Sequence, residues 1–435
     1  MISLRRIHTR RKLGVCLLIG MAAISPSPAR AQADTSGAAQ AMRDYLAAAR
    51  HEGGKLWGRS LLGPMILVDP ATRAAFASEE PPGGSFRQRD GLWQGTLPDG
   101  IPLANFALTW VNRRWAMVLL PLPQDRFLAL ELLLHESYHG IQEQIGLARP
   151  DRLNPHLDER DGRYWLRLEL RALGTALGAR GGDRKRAAED AMRFRAARLA
   201  RYPGADTLEN SLEVAEGLAE YTGTRVALDY LRLPQARAAT LAHDFERRKT
   251  YVRSLGYGTG PGIGLLLDQY RPDWRTRVAR EGLAPQLAKA LGVAGGDDAA
   301  RVAIRYGADS LGTEEDRRAE ARTRVLADYR ARLIDGPVLA LHQSGVQRAF
   351  NPNELIPFGA EGTIYPTGTF SAEWGSLEVT RGGALIAPDY SLLRLQAPTS
   401  PGDSVVHGEG WVLKLAEGWR AVPGARAGDL TVRKQ

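Results

Sequence analysis

The spacing of hydrophobic positions changes twice along the chain, and each change marks a different kind of structure. Residues 37–51 repeat at the helical period, and strand-like segments with β-branched, aromatic and turn residues follow ("GPMILVDP", "LWQGTLPDGIPLANFALTWV" and "RRWAMVLLPLP"). From Asp161 to about Ile334 the pattern is helical, and short alternating runs separated by Gly, Pro and Thr come after it. The pattern predicts an α+β protein, with a mixed region at 34–335 and a small β-sandwich or barrel domain at 336–435.

One predicted helix carries an unusual set of polar residues. Apolar residues recur close to the helical period after Asp125, which can cap the start of the helix, and Gly146 can end it. Within this apolar run stands "LLHESYHGIQEQ", which places His135 and His139 four residues apart. Residues at this spacing are neighbours on one helix face, so both imidazoles can point at one object.

Two imidazoles at this spacing suit a metal site, because such a pair can bind one Zn²⁺ through nitrogen. Glu136 lies at the edge of the same face, where its carboxylate can reach a water molecule at the metal and act as a general base. The alternative interpretation is a pair of core histidines, each hydrogen-bonded to a neighbour. The apolar and well-bounded helix around the motif favours the metal site.

A catalytic zinc site needs a third protein ligand. The pattern HExxHxxGxxH does not provide it, because Gln142 and Ile145 stand where that pattern needs Gly and His. The segment "TLENSLEVAEGLAEYTGTRVALDYL" carries glutamates at near-helical spacing, which usually form a solvated helix face. Glu216 is the best candidate there, since small flanking residues would let its helix pack closely against the histidine helix, and Glu213 is the alternative. Glu220 could hold the free N–H of a ligand histidine.

"HESYHGIQ" and the later "EGLAEY" resemble the motifs of the gluzincin metallopeptidases, particularly the bacterial peptidase-MA-like families with HExxHxxQ and EGxAEY. The resemblance covers these two short segments and the helical scaffold that joins them. It implies a zincin-like catalytic region, with a small sheet and helices. Carried over by position, it implies His135, His139 and Glu216 as the zinc ligands. It also implies Glu136 as the catalytic base and Glu220 as the acidic residue four places after the third ligand.

The resemblance also bears on the strands. Gluzincins hold the substrate backbone along the edge strand of their small sheet by β-addition. The segment "RWAMVLLP" is the candidate for that edge. The alternative is an ordinary buried strand, which the alternation of residues allows equally.

The segment "SLGYGTGPGIG" predicts a Gly-rich loop between two helices. It matches neither a P-loop nor a dinucleotide-binding turn. Tyr257 within it is a candidate donor to the oxyanion of a tetrahedral intermediate. A structural tyrosine in a tight loop is the favoured interpretation, because nothing in the sequence directs its hydroxyl toward the metal.

The first 33 residues have the composition of a signal peptide. A basic segment precedes the apolar run "LGVCLLIGMAAI", which is too short to span a membrane, and small-residue sites follow, so cleavage near Ala33 is expected. "TRRKL" also permits a twin-arginine signal. The protein is therefore expected to be exported to the periplasm or the extracellular space, with no transmembrane anchor after signal removal.

Charge and cysteine content argue against other classes of function. Without the six basic residues of 1–33, the formal net charge falls from +9 to +3. The basic run "RGGDRKRAAEDAMRFRAARLARY" is interleaved with acidic residues, which favours a solvated helix face over a nucleic-acid surface. The single cysteine, Cys16, lies in the predicted signal peptide, so the mature chain is expected to contain neither a disulfide nor a cysteine-based metal site.

Together these features predict an exported zinc metallopeptidase with a peptide or protein substrate and no nucleic-acid partner. A different metal or another amide or ester substrate would suit the same motif. The competing hypothesis is a non-catalytic envelope or binding protein with a structural or vestigial metal site. Glu136 argues against that hypothesis, because a structural site needs no base.

Overall fold

The computed structural model covers most of the chain that follows the predicted signal peptide. Residues 1–33 lie outside the described residues, which are 35–150, 152–351, 354–399, 402 and 404–435. Helices dominate the chain up to Asp335 and strands dominate the remainder, so the prediction of an α+β protein with a β-rich C-terminal region is confirmed. None of the helices in the described ranges is both long enough and apolar enough to cross a bilayer.

A six-stranded sheet follows the first helix, α1 (Thr35–Glu52). Its strands are β1 (Met65–Val68), β2 (Ala74–Ala77), β3 (Arg87–Arg89), β4 (Leu92–Thr96), β5 (Phe106–Trp110) and β6 (Arg113–Leu119). They lie in the order β3-β4-β2-β1-β6-β5, with β1 parallel to β6 and the other pairs antiparallel. The sequence pattern did not indicate β2 and β3, which are rich in alanine and arginine and lack the β-branched residues typical of strands.

The strand expected at the sheet edge lies inside the sheet. β6 pairs with β1 on one side and with β5 on the other, so "RWAMVLLP" is not the edge candidate but the alternative, an ordinary buried strand. Among the described residues, β3 and β5 form the two edges of this sheet. Burial explains the difference. Trp115 and Met117 join the apolar cluster on one face, whereas Ala116 and Val118 join the helical core on the other. A strand that is apolar on both faces needs cover on both, which an interior position provides.

Helix α2 (Arg126–Gln142) follows β6 and packs on one face of the sheet. Asp125 caps its start as predicted, since the carboxylate accepts a hydrogen bond from the Leu128 amide. The helix ends in a turn that closes at Gly146. The φ of this residue is 73°, which is unfavourable for residues that carry a side chain. Residues around most of its circumference are buried, because the sheet covers one side and other helices cover the rest.

The helical region that follows shares one core with α1 and α2. Its helices in the described part of the chain are α3 (Arg160–Gly178), α4 (Gly181–Leu199), α5 (Ala205–Leu212), α6 (Leu218–Tyr230), α7 (Ala236–Glu246), α8 (Leu255–Tyr270), α9 (Val278–Glu281), α10 (Ala284–Leu291), α11 (Ala299–Ala303) and α12 (Ala308–Arg330). A π-helical turn (Glu213–Gly217) joins α5 to α6 without a break. A wider turn of this kind occurs frequently at functional sites.

The C-terminal strands form two sheets. The strands are β7 (Val338–His342), β8 (Gln347–Ala349), β9 (Ile356–Pro357), β10 (Thr363–Tyr365), β11 (Gly368–Ala372), β12 (Gly375–Val379), β13 (Ala384–Ile386), β14 (Leu392–Gln396), β15 (Val405–Gly408), β16 (Trp411–Leu415), β17 (Trp419–Pro423) and β18 (Leu430–Lys434). Seven lie in the order β17-β18-β7-β14-β13-β10-β9 and five in the order β15-β16-β12-β11-β8. Both sheets contribute to one apolar core, which includes the buried rings of Trp374 and Trp411.

Candidate metal centre

The two histidines of α2 meet at one point. Successive turns of the helix bring the ring centroids of His135 and His139 to 4.9 Å from each other, and the two Nε2 atoms are 3.1 Å apart. His135 is 1% exposed, whereas the side chain of His139 is partly accessible. The two imidazoles are therefore neighbours, as predicted. The ring of His135 is buried, and that of His139 is partly exposed to solvent.

The π-helical turn brings a carboxylate to the same point. Oε2 of Glu216 lies 3.5 Å from Nε2 of His135 and 3.4 Å from Nε2 of His139. One ligand atom from each of these residues lies within 4.8 Å of the others. Two imidazole nitrogens and one carboxylate oxygen are a donor set that suits zinc, and three protein ligands leave a coordination position free. The residues present thus fit a catalytic metal.

Glycines let the π turn pack closely against α8. Gly217 faces α8, where a Cβ atom on Gly260 would lie 2.3 Å from the Gly217 carbonyl oxygen. The close contact with α2 lies farther along, at Gly223, where a Cβ atom would lie 2.5 Å from the Glu131 carbonyl oxygen. Close packing against the histidine helix was expected around Glu216, where Gln142 of α2 does contact the Ala215 carbonyl oxygen. The glycine that a side chain could not replace at this helix pair is Gly223.

Hydrogen bonds on the outer nitrogens determine which histidine nitrogens face the centre. Nδ1 of His135 lies 2.7 Å from Oε2 of Glu220, in the position predicted for a supporting carboxylate. Nδ1 of His139 lies 2.9 Å from Oε1 of Gln142. The Gln142 amide nitrogen donates to backbone carbonyls, including that of Ala215 at 2.8 Å, so the oxygen must face the histidine. Both Nδ1 atoms therefore donate outward, so that in its neutral form each imidazole directs the Nε2 lone pair toward the centre.

The electrostatics of the cluster favour a positive charge at its centre. Burial lowers the pKa of His135, but its hydrogen bonds with Glu216 and Glu220 outweigh that effect, and the net pKa lies well above the usual value. Burial raises the pKa of Glu216, whereas the charges and hydrogen bonds of the two imidazoles lower it below its usual range. The carboxylates thus stabilise positive charge at this point, which either protons on the imidazoles or a divalent metal ion bound to the neutral imidazoles can supply.

Glu136 has the surroundings of a reactive carboxylate. Its side chain is 1% exposed, and its Oε1 atom has no hydrogen-bond partner among the described residues. Burial raises the pKa of the carboxyl group, although the neighbouring imidazoles act in the opposite direction. An unpaired buried oxygen costs free energy, and such atoms in native structures often have a function, so this oxygen beside the candidate ligands requires an explanation.

Tyr257 lies beside the candidate ligands, a position that the sequence did not indicate. The Gly-rich segment predicted as a loop forms most of helix α8, and Tyr257 lies in its first turn. The hydroxyl donates to Oε2 of Glu216 at 2.6 Å, and the ring stacks on His135 with centroids 5.5 Å apart. Burial and the charge of Glu216 raise the pKa of the phenol well above its usual value, so the hydroxyl keeps its proton.

Glu213, the alternative third ligand, points away from the histidines. It is 1% exposed, and its carboxylate accepts a hydrogen bond from Arg195 Nη1 at 3.0 Å and another from Thr259. Glu209 likewise pairs with the buried Arg198. The predicted solvated glutamate face is therefore wrong for these two residues. The basic run of α4 is also not a uniformly solvated face, because Arg195 and Arg198 point into the protein and neutralise these carboxylates.

A second buried carboxyl group lies behind Glu220 and was not indicated by the sequence. Glu131, one turn before His135 on α2, accepts a hydrogen bond from the Thr224 hydroxyl at 2.8 Å. Burial and the nearby charge of Glu220 raise the pKa of Glu131 well above its usual value, and the two carboxyl groups are close enough to share a hydrogen bond. The raised pKa favours the protonated form of Glu131, in which it can donate a hydrogen bond to Glu220, the carboxylate beside His135. Glu131 lies four residues before His135, which places both on the same face of α2. This spacing could have indicated the contact from the sequence.

No family model, curated protein or solved structure matches this chain. Arguments about its function therefore depend on the residues of the candidate centre.

Proposed function

We propose that this protein is a zinc-dependent hydrolase that cleaves peptide bonds. The observation that supports the proposal is the convergence of His135, His139 and Glu216 beside the buried, unpaired carboxylate of Glu136. A structural metal site requires no such carboxylate. The likeness of "HESYHGIQ" and "EGLAEY" to gluzincin motifs supports peptides as the substrate class.

Different residues of the chain have different roles in the proposed reaction. Zinc, held by the two histidines and Glu216, would polarise the scissile carbonyl and acidify the attacking water. Glu136 accepts the proton of that water and later donates it to the leaving amine. Tyr257 keeps its proton and lies beside the ligands, and its hydroxyl, which donates to Glu216 in the structure, would redirect that hydrogen bond to the carbonyl oxygen as negative charge develops there. Glu220 and Gln142 keep both ligand imidazoles in the tautomer with the lone pair directed inward.

We also propose that the protein is exported. The support is the basic segment, apolar run and small-residue cleavage site within residues 1–33. The reaction would then take place in the periplasm or outside the cell.

Metal analysis combined with a hydrolysis assay tests the proposed function. Protein prepared without chelator should contain one zinc ion per chain, and it should cleave a reduced and alkylated polypeptide into fragments that mass spectrometry identifies. A chelator should abolish cleavage and added zinc should restore it. Stoichiometric zinc without any cleavage would support the structural-metal alternative, and protein that binds no zinc would contradict both.

Loss of Glu220 should weaken the centre without destroying it. The variant Glu220→Ala removes the acceptor of the His135 Nδ1 proton, and removal of such a supporting group typically lowers metal affinity or activity by about 10–100-fold. Zinc affinity, measured by competition with a chromogenic chelator, should fall within that range. The control is Asp229→Ala, an exposed residue of the same helix, which should keep the wild-type affinity. Equal affinities in the two variants would contradict the assigned role of Glu220.

A further inference from the structure

A groove of about 640 Å³ lies between the N-terminal sheet and the C-terminal strands. One wall is the segment 102–106, which leads into the edge strand β5. The other wall is the outer face of the five-stranded sheet, formed by β8, β11, β12 and β16. A volume of this size lies within the range of about 300–1,000 Å³ that is typical of ligand sites.

The walls of the groove mix apolar groups with hydroxyl groups. Leu103 and Phe106 line one side. Ser371 and Ser376, direct partners across β11 and β12, line the other side together with Thr369. The lining also includes two basic side chains and one acidic side chain, so it has no strong charge of either sign. Such walls suit a polypeptide, whose backbone is polar and neutral and whose side chains vary, better than a nucleic acid or a compact anion.

The first wall is connected to the candidate metal centre through strands β5 and β6. Phe106 begins β5, and Thr109 of the same strand lies opposite Arg114 of β6. The Arg114 guanidinium lies 3.5 Å from the His139 carbonyl oxygen. At a strand rise of about 3.3 Å per residue, roughly 10 Å separates the start of β5 from the position beside Arg114.

The second wall is connected to the candidate metal centre through Arg253 and helix α8. Phe350 follows β8 directly, and the Arg253 guanidinium lies 5.8 Å from its ring centroid. Arg253 lies two residues before α8, and Tyr257 in the first turn of α8 donates to Glu216. Both walls are thus continuous with elements that hold the candidate metal centre.

The free edge of β5 indicates how a ligand would bind. Among the residues that the structure describes, β5 pairs only with β6, so its other side presents backbone donors and acceptors. An extended polypeptide can add to such an edge as a further strand, with alternate side chains pointing to opposite faces. The groove begins where β5 begins, so such a strand would continue into it.

We propose that this groove binds an extended segment of the polypeptide substrate, remote from the bond that is cleaved. The proposal rests on the proposed function and narrows it to long, unfolded polypeptides as the favoured substrates. The C-terminal strands, through β8 and β11, then form part of the substrate-binding surface.

Two substrates of different length test the proposal. The bond cleaved in a reduced and alkylated polypeptide is first mapped by mass spectrometry. Peptides of about 6 and about 20 residues centred on that bond, which span roughly 20 Å and 66 Å when extended, are then compared. Wild-type protein should have a kcat/KM for the long peptide at least tenfold above that for the short one. Ser371→Arg and Ser371→Glu both fill the groove, with opposite charges, and both should lower this ratio at least tenfold.

His342→Arg is the matched control, because it places the same bulky side chain at an exposed position on the other sheet. It should keep the wild-type ratio. A ratio that stays the same in the Ser371 variants, whether both activities fall together or neither changes, would overturn the proposal. Should wild-type protein cleave nothing, the proposed function fails, and the groove is tested by binding of the reduced and alkylated polypeptide. Ser371→Arg should then weaken that binding at least tenfold. Equal binding by the variant and the wild type would contradict the proposal that the groove binds a polypeptide.

Discussion

The variant Glu136→Gln should lose hydrolysis by a factor of about 10² to 10⁴, which is the usual contribution of a positioned general base. Glutamine has nearly the shape of glutamate but cannot accept the proton of the attacking water. None of the three proposed ligands changes, so zinc content and thermal stability should stay close to those of the wild type. The measurements are initial rates on an unfolded polypeptide, zinc per chain by elemental analysis and thermal unfolding.

A matched control tests whether the loss of activity depends on the position of this carboxylate or only on the loss of one negative charge. Glu143→Gln makes the same change at an exposed residue just after α2 and should keep full activity. If Glu136→Gln retains full hydrolytic activity with normal zinc content, another group removes the proton and the proposed mechanism is wrong.

The variant Glu216→Ala should lose the metal itself. Removing a supporting residue costs about 10–100-fold in affinity, and removing a direct ligand should exceed that, so we expect zinc affinity to fall by more than ~100-fold. Activity should fall with it. Competition with a chromogenic chelator gives the affinity, and hydrolysis rates at saturating zinc show whether activity recovers when metal is forced into the site.

Glu213→Ala, one turn earlier on the same continuous helix, is the contrasting variant. It removes the partner of a buried arginine, Arg195, and leaves a charge that is only partly compensated. Breaking such a buried pair typically costs about 3–5 kcal/mol, so the free energy of unfolding should fall by roughly that amount while zinc binding persists in the folded protein. The opposite pattern, with metal lost in Glu213→Ala and kept in Glu216→Ala, would contradict the assignment of the third ligand.

Features that depend on local periodicity could be predicted from the residues alone. The four-residue spacing of His135 and His139 places them on one face of any regular helix, and an apolar run with a cap at Asp125 makes that helix the expected structure. The change from helical to alternating patterns likewise indicated a β-rich region after Ile334, because each period follows from the geometry of a single element. None of these predictions required knowledge of what the element packs against.

Three features depend instead on the packing of distant elements: which carboxylate faces the histidines, which strands form the sheet edges, and whether the Gly-rich segment is a loop or a helix. Glu213 and Glu216 are equivalent by spacing, but the π turn increases the angle between them, and Arg195 on α4 neutralises one while the other faces α2. Alternation cannot distinguish β5 from β6, since the edge depends on which neighbours pair. Glycine disfavours an isolated helix, yet Gly260 allows α8 to pack against the π turn at a distance that any side chain would prevent. These outcomes depend on contacts between residues that are distant in sequence, which a local pattern does not contain.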